Sequence, residues 1–182
     1  MNTVFFDIDS QLDYLYPAGA LYVPKAERIV PTIAQLNRFA AGRGIPVVST
    51  TDAHTENDPE FARWPHHCVA GTWGQRKAQS TLLDGAEQII VEKQTVDVFQ
   101  APKLGRVIES LRPELCVVYG VVTEICVLSA VRGLLRLGKQ VIVVTDAIET
   151  LNPDDSARAL AEMRAGGAVC QTALATTSKL LP

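Results

Sequence analysis

Short apolar runs recur along the chain at Val4 to Ile8, Ile45 to Ser49, Gln88 to Val91, Leu115 to Tyr119, Val141 to Thr145 and, more weakly, Ala168 to Gln171. They are continuous rather than alternating, as strands buried on both faces are. Helical patterns lie between them. In 26–41, Ile29, Ile33, Leu36 and Ala40 repeat at helical spacing with Arg28, Gln35 and Arg38 available for the wet side, and 103–111, 124–137 and 155–165 read likewise. Gly42 with Gly44, Gly138, and Gly166 with Gly167 mark helix ends, while Asn152-Pro153-Asp154-Asp155 marks a helix start. Such alternation implies βαβ units and an α/β fold. The expected form is an open three-layer α/β/α sheet, mostly parallel, of about six strands, with its ligand site beyond the strands' carboxyl ends.

A length of 182 residues suits one domain over 1–182, and 47% hydrophobic content is enough for one sizeable core. The formal net charge of −3, with no basic run, lacks the electrostatic footprint of a nucleic-acid binder, so a small neutral or anionic substrate is the simpler expectation. MNTVFFDID has no basic leader and no apolar run is long enough to span a bilayer, so a cytoplasmic protein without membrane contact is expected. Cys68, Cys116, Cys126 and Cys170 are scattered without paired spacing, which argues for reduced thiols.

One segment breaks the rhythm. From Thr51 to Leu82 neither period holds, and DAHTENDPEFARWPHHCVAGTWG gathers Asp, His, Trp, Pro and Gly. A long connection of mixed composition reads as a site-building loop. Its Asp52, His54 and His67 are a carboxylate and two imidazoles, donors that suit zinc, iron or manganese better than magnesium or calcium. Glu60 or Glu56 is available as a fourth ligand; the competing reading is a solvated loop with chance histidines.

The other polar residues of interest also fall at strand ends. Asp7 and Asp9 close the first apolar run, and Lys93 follows the third. Cys126 sits in VVYGVVTEICVLSAVRGLL, where a strand passes through Gly120 into a helix. In the first turn of that helix, free N–H groups and the helix dipole favour a thiolate and offer donors to an oxyanion. Most free cysteines are buried small hydrophobes, and that reading is kept for Cys68, Cys116 and Cys170. At Cys126 the position favours a nucleophile. Lys93 alone reads as a surface lysine; beside Asp9 and Cys126 it becomes a third member, able to lower a thiol pKa and hold a carboxylate.

DIDSQLDYLYPAGAL, TTDAH, WPHHCVAGTWG, VEK and GVVTEICV together resemble the cysteine hydrolases of the isochorismatase-like superfamily, within it the nicotinamidase-like branch, over nearly the whole chain. The resemblance implies an Asp9, Lys93, Cys126 triad and metal ligation by Asp52, His54 and His67, with Glu60 where a further histidine often stands. It also implies a cis peptide at Val121–Val122 and an oxyanion hole from the N–H groups of Val122 and Cys126. Tyr14, where the family usually has phenylalanine, and Trp64 match positions that stack on the substrate. The implied reaction is hydrolysis of a small carboxamide, nicotinamide foremost, through a Cys126 thioester in a zinc-, iron- or manganese-containing homo-oligomer. QTVDVFQAP after Lys93 departs from some family members and leaves room for another amide.

Two other functions compete. Asp7 and Asp9 resemble the opening signature of haloacid-dehalogenase-type phosphatases. Gln11 stands where that signature wants Thr or Val, VVTDAIETL offers no convincing acidic pair for magnesium, and Cys126 and the histidines go unexplained. A binding scaffold that has lost activity is the third reading, against which the intact Asp9, Lys93 and Cys126 set argues. Of the two aspartates, Asp9 is the expected base. Asp7 is expected on the same side of the strand one layer deeper, in a supporting role that requires hydrogen-bonded partners.

Overall fold

A computed structural model describes residues 1–85 and 88–180. In chain order its elements are β1 (Thr3–Ile8), α1 (Leu12–Leu15), α2 (Val30–Ala41), β2 (Val47–Asp52), β3 (Gln88–Lys93), α3 (Pro102–Leu111), β4 (Leu115–Gly120), α4 (Leu128–Arg136), β5 (Gln140–Ile148), α5 (Pro153–Ala165), β6 (Val169–Gln171) and α6 (Ala173–Lys179). The strands form a six-stranded sheet of order β3-β2-β1-β4-β5-β6 in which every pairing is parallel. The chain moves outward from β1 on one side, then crosses back to β4 and moves outward on the other. That reversal puts helices on both faces: α2 packs with α6, and α4 packs with α5. It also opens a crevice at the carboxyl ends of β1 and β4.

The interior strands carry the core. Phe5, Val47, Val117, Val118, Val143 and Val144 are fully buried, with Ile33 and Leu36 of α2 and Val131 and Leu134 of α4 among the buried helix residues. The signals read from the sequence act as expected at α5, where the Asn152 side chain accepts from the N–H groups of Asp154 and Asp155 and Pro153 takes the first turn. No helix among the described residues is long and apolar enough to cross a membrane.

Several boundaries differ from the pattern-based expectation. β2 runs on to Asp52 and β3 to Lys93, so the residues expected just beyond these strands are their last members. Ser49 and Thr50 are polar yet completely buried. They are tolerated because Ser49 accepts from Gln88 and the Thr50 hydroxyl donates to Asp9. The helix expected over 124–137 divides into a π-helical turn, Thr123–Val127, and α4. The helix expected over 26–41 begins as a 3₁₀ turn, Ala26–Ile29. The short α1 and α6 were not legible from periodicity.

Gly120 fixes the close approach of β4 to β1. Its φ is +120°, and a Cβ there would lie 2.0 Å from the Ile8 carbonyl oxygen, which also accepts the Val121 N–H. Gly120→Ala should therefore destabilise the protein by about 3 kcal/mol or more in denaturant unfolding. An unchanged unfolding midpoint would mean that the crevice tolerates a side chain at this point.

Candidate active site

The three side chains expected to act together, Asp9, Lys93 and Cys126, meet at the carboxyl edge of β1 to β4, and Asp52, expected in the metal group, joins them. Asp9 follows β1 with φ +49°, a left-handed conformation uncommon for a residue other than glycine. Asp52 and Lys93 end β2 and β3 and stand opposite each other in register. Cys126 lies in the π-helical turn after β4. The Lys93 Nζ is 2.9 Å from Asp9 Oδ2, 2.5 Å from Asp52 Oδ1 and 3.7 Å from Cys126 Sγ. A carboxylate oxygen from each aspartate and the Cys126 sulphur lie within 4.8 Å of one another. The Thr50 hydroxyl donates to the other Asp9 oxygen at 2.6 Å, leaving Oδ2 toward the lysine.

All four are buried, and for Asp9, Lys93 and Cys126 protonation is set by competition between desolvation and neighbours. Burial works against a charge on Lys93, but Asp52, Asp9 and Cys126 outweigh it and hold the ammonium well above its usual range. Burial raises the Asp9 carboxyl above its ordinary value and Asp52 adds to this, with Lys93 opposing. Burial likewise pushes the Cys126 thiol well up; Lys93 opposes, while Asp9 and Asp52 reinforce the rise. The thiolate expected from the helix terminus is thus corrected. Desolvation and the two carboxylates outweigh Lys93, so the Cys126 side chain is held as a thiol beside the Asp9 carboxyl.

Asp52, His54 and His67 form a second, adjoining group, all buried, with ligand atoms within 4.8 Å of one another. Their hydrogen bonds orient them. His54 Nδ1 is 3.0 Å from Asp58 Oδ2, and His67 Nδ1 is 2.7 Å from the Pro65 carbonyl oxygen. Each acceptor assigns the proton to Nδ1 and leaves Nε2 with a lone pair, the arrangement second-shell partners impose on metal-binding histidines. His54 Nε2 is buried with no partner among the described residues and lies 3.9 Å from Asp52 Oδ1. An unsatisfied buried acceptor facing a carboxylate and a second imidazole fits a divalent cation. Of the other two candidates, Glu56 is exposed. Glu60 lines the cleft but is gathered with His54 and Asp58 rather than with Asp52 and His67.

Asp52, His67, Lys93 and Cys126 from the two groups line one cleft, with Tyr14, Trp64, Val96, Val122, Ile125 and Leu151 among its walls. Tyr14 is tied down, its hydroxyl donating to Asp52 Oδ2 at 2.5 Å. The Val121–Val122 peptide is cis, as the resemblance implied. The Val122 N–H meets no acceptor among the described residues, and the Cys126 N–H meets none outside its own turn. Reasoning from sequence missed Gln11 as a site residue. Its amide accepts from the Asp52 N–H at 2.7 Å and donates to the Asp52 carbonyl at 2.8 Å, clamping the strand end that carries Asp52. A buried glutamine two residues after Asp9 was the available signal.

Asp7 and Asp9 are not one site. Asp7 takes Lys77, Asn37 and Ser49 as partners; Asp9 takes Lys93 and Thr50. Asp9 is gathered with Asp52 and Cys126, whereas Asp7 is tied to Lys77, Asn37 and Ser49, so the two do not form the paired carboxylates that the phosphatase reading requires. The left-handed backbone at Asp9 turns it out of the strand's alternation, so the two carboxylates share no partner.

Comparison with known proteins agrees with this geometry. The isochorismatase domain model matches residues 3–174. The chain is 28% identical to the nicotinamidase of Escherichia coli (strain K12), over 91% of this chain and 92% of that one. Among solved structures, a pyrazinamidase of Pyrococcus horikoshii in complex with zinc is 27% identical with TM-score 0.87, covering 94% of this chain and 99% of its own. An isochorismatase-like hydrolase from Alkaliphilus metalliredigens has TM-score 0.91 at 23% identity, with both chains fully covered, and shows the same fold. The chain belongs to the isochorismatase domain family.

Proposed function

We propose that the protein is a metal-containing amidase that hydrolyses nicotinamide to nicotinate and ammonia through a thioester on Cys126. The observation that carries this reading is the meeting of Asp9, Lys93 and Cys126 at 2.9 and 3.7 Å from one ammonium, beside the Asp52, His54 and His67 group in the same cleft. Similarity to a nicotinamidase and to a pyrazinamidase supports it.

Asp9 acts as the base. It takes the proton from the Cys126 thiol, and the sulphur attacks the carboxamide carbon. Lys93 keeps its proton throughout and compensates the negative charge passing between Asp9 and Cys126. The N–H groups of Val122 and Cys126 hold the developing oxyanion. The C–N bond then breaks, Asp9 returns its proton to the departing nitrogen, and ammonia leaves a Cys126 thioester. Asp9 next draws a proton from water, whose oxygen attacks the thioester carbonyl; the C–S bond breaks, Asp9 returns that proton to the Cys126 sulphur, and the acid product leaves as nicotinate with its own proton lost to solvent. A divalent ion held by Asp52, His54 and His67, zinc first and iron or manganese otherwise, would supply a Lewis-acidic anchor for the pyridine nitrogen. Tyr14 and Trp64 flank the ring.

Among the described residues that line the cleft, the single cationic side chain is Lys93, already held by two carboxylates. A neutral amide therefore suits the cleft better than one bearing a carboxylate. Val96, from the stretch that departs from some family members, forms part of the wall and favours as second reading a different small neutral carboxamide.

With nicotinamide as substrate, Cys126→Ala and Asp9→Asn should each lower ammonia release by about 10³-fold or more while the metal content stays at the wild-type level. Undiminished release in either variant, or a metal-free active enzyme, contradicts the reading. The pH dependence follows from Asp9. As its carboxyl is raised and must be ionised to accept the thiol proton, kcat/KM should fall on the acid side at a pH above the ordinary aspartate value of 3.8. An acid limb at or below that value would remove Asp9 from the role.

A further inference from the structure

The catalytic reading leaves one buried ion pair unused. Lys77, from the long loop, has its Nζ 2.9 Å from Asp7 Oδ2 and 2.5 Å from Ser10 Oγ, and the Lys77 and Asp7 side chains are 3% and 0% exposed. Ser10 immediately follows Asp9. The loop is also laid antiparallel along this turn: Lys77 bridges Gln11, the Leu12 N–H donates to the Arg76 carbonyl at 2.8 Å, and the Ala78 N–H donates to the Ser10 carbonyl at 3.0 Å. Asp7 is held from the other side. Its Oδ2 accepts from Asn37 Nδ2 at 2.9 Å, and Asn37 Oδ1 accepts from the Tyr119 hydroxyl at 2.5 Å, so α2 and β4 fix the carboxylate that fixes the lysine.

We propose that Lys77, anchored by Asp7, is a positioning residue that holds Ser10 and thereby aims the Asp9 carboxylate at Cys126. The proposal rests on Asp9 being the base. Asp9 adopts a left-handed conformation in a turn closed by the Gln11 N–H to its own carbonyl at 2.7 Å. Such a conformation persists only where its surroundings over-determine it. Lys77 supplies a charged donor at the next residue, which is stronger than a neutral one and is aimed here by Asp7. Fold stability alone does not call for the pair, because an apolar pair of similar volume often serves a core as well or better. What an apolar pair lacks is a donor pointed at Ser10.

Two variants of the full-length, metal-loaded protein test this. Ser10→Ala removes the acceptor and leaves the Asp7–Lys77 pair intact; Asp7→Leu/Lys77→Met removes both charges together and leaves no uncompensated ion. Each is measured for thermal midpoint, for kcat and KM with nicotinamide, and for alkylation of Cys126 by iodoacetamide followed on its peptide. The expected result is a thermal midpoint near wild type, KM little changed, and kcat and alkylation rate both lowered by roughly 10- to 100-fold, the cost of a misplaced catalytic group. Wild-type kcat and alkylation in Ser10→Ala would overturn the proposal, and that variant decides even if the double variant does not fold. If the wild-type protein hydrolyses no amide, the functional reading has failed separately, and the alkylation rate still decides: slowed alkylation supports the positioning role and an unchanged rate overturns it.

Discussion

The Lys93 ammonium is the charge around which the site is arranged. Two buried carboxylates and a thiol crowd one strand edge, and Lys93 touches all three. Uncompensated, each buried carboxylate would cost several kcal/mol of desolvation. Their mutual repulsion, with a carboxylate oxygen of each within 4.8 Å of the other, would add several kcal/mol at an effective dielectric of about 20. With the lysine in place, Asp52 and Asp9 can stay buried and close to Cys126. Removing Lys93 would therefore disturb Asp9 and the Asp52, His54 and His67 group together, since Asp52 belongs to both arrangements.

Asp52 is correspondingly the most constrained residue in the cleft. Gln11 clamps its backbone from both sides, Tyr14 takes Oδ2 and Lys93 takes Oδ1. Asp13 plays the parallel part for the loop, its two oxygens accepting from the N–H groups of Ala20 and Cys68. The segment after β2 has little periodic structure because short turns and isolated bridges satisfy most of its backbone, with side chains such as Asp13 pinning it at single points. Irregular backbone of this kind lets Asp52, His54 and His67 converge from separate points of the chain.

The parallel sheet was legible because its strands are buried on both faces and therefore continuously apolar. Strand ends were not, since Thr50 and Asp52 look like loop residues until Asp9 and Lys93 are brought alongside. The members of the candidate site were legible as unusual residues at strand ends. Their protonation was not, because the groups that raise the Cys126 thiol come from β2 and the end of β1, far away in sequence. Asp7 was expected to need partners, and it has three. Its ionic partner was invisible: Lys77 lies in GQRKAQ, an unremarkable surface-like string, and only the antiparallel lie of the loop carries its amine into the core.

The central chemical claim is that acyl transfer passes through Cys126. Its most direct test is peptide mapping of the protein acid-quenched while saturated with nicotinamide. A nicotinoyl group on the peptide containing Cys126 is the predicted result. A nicotinoyl group on another residue, or steady turnover with every peptide unmodified, would contradict it.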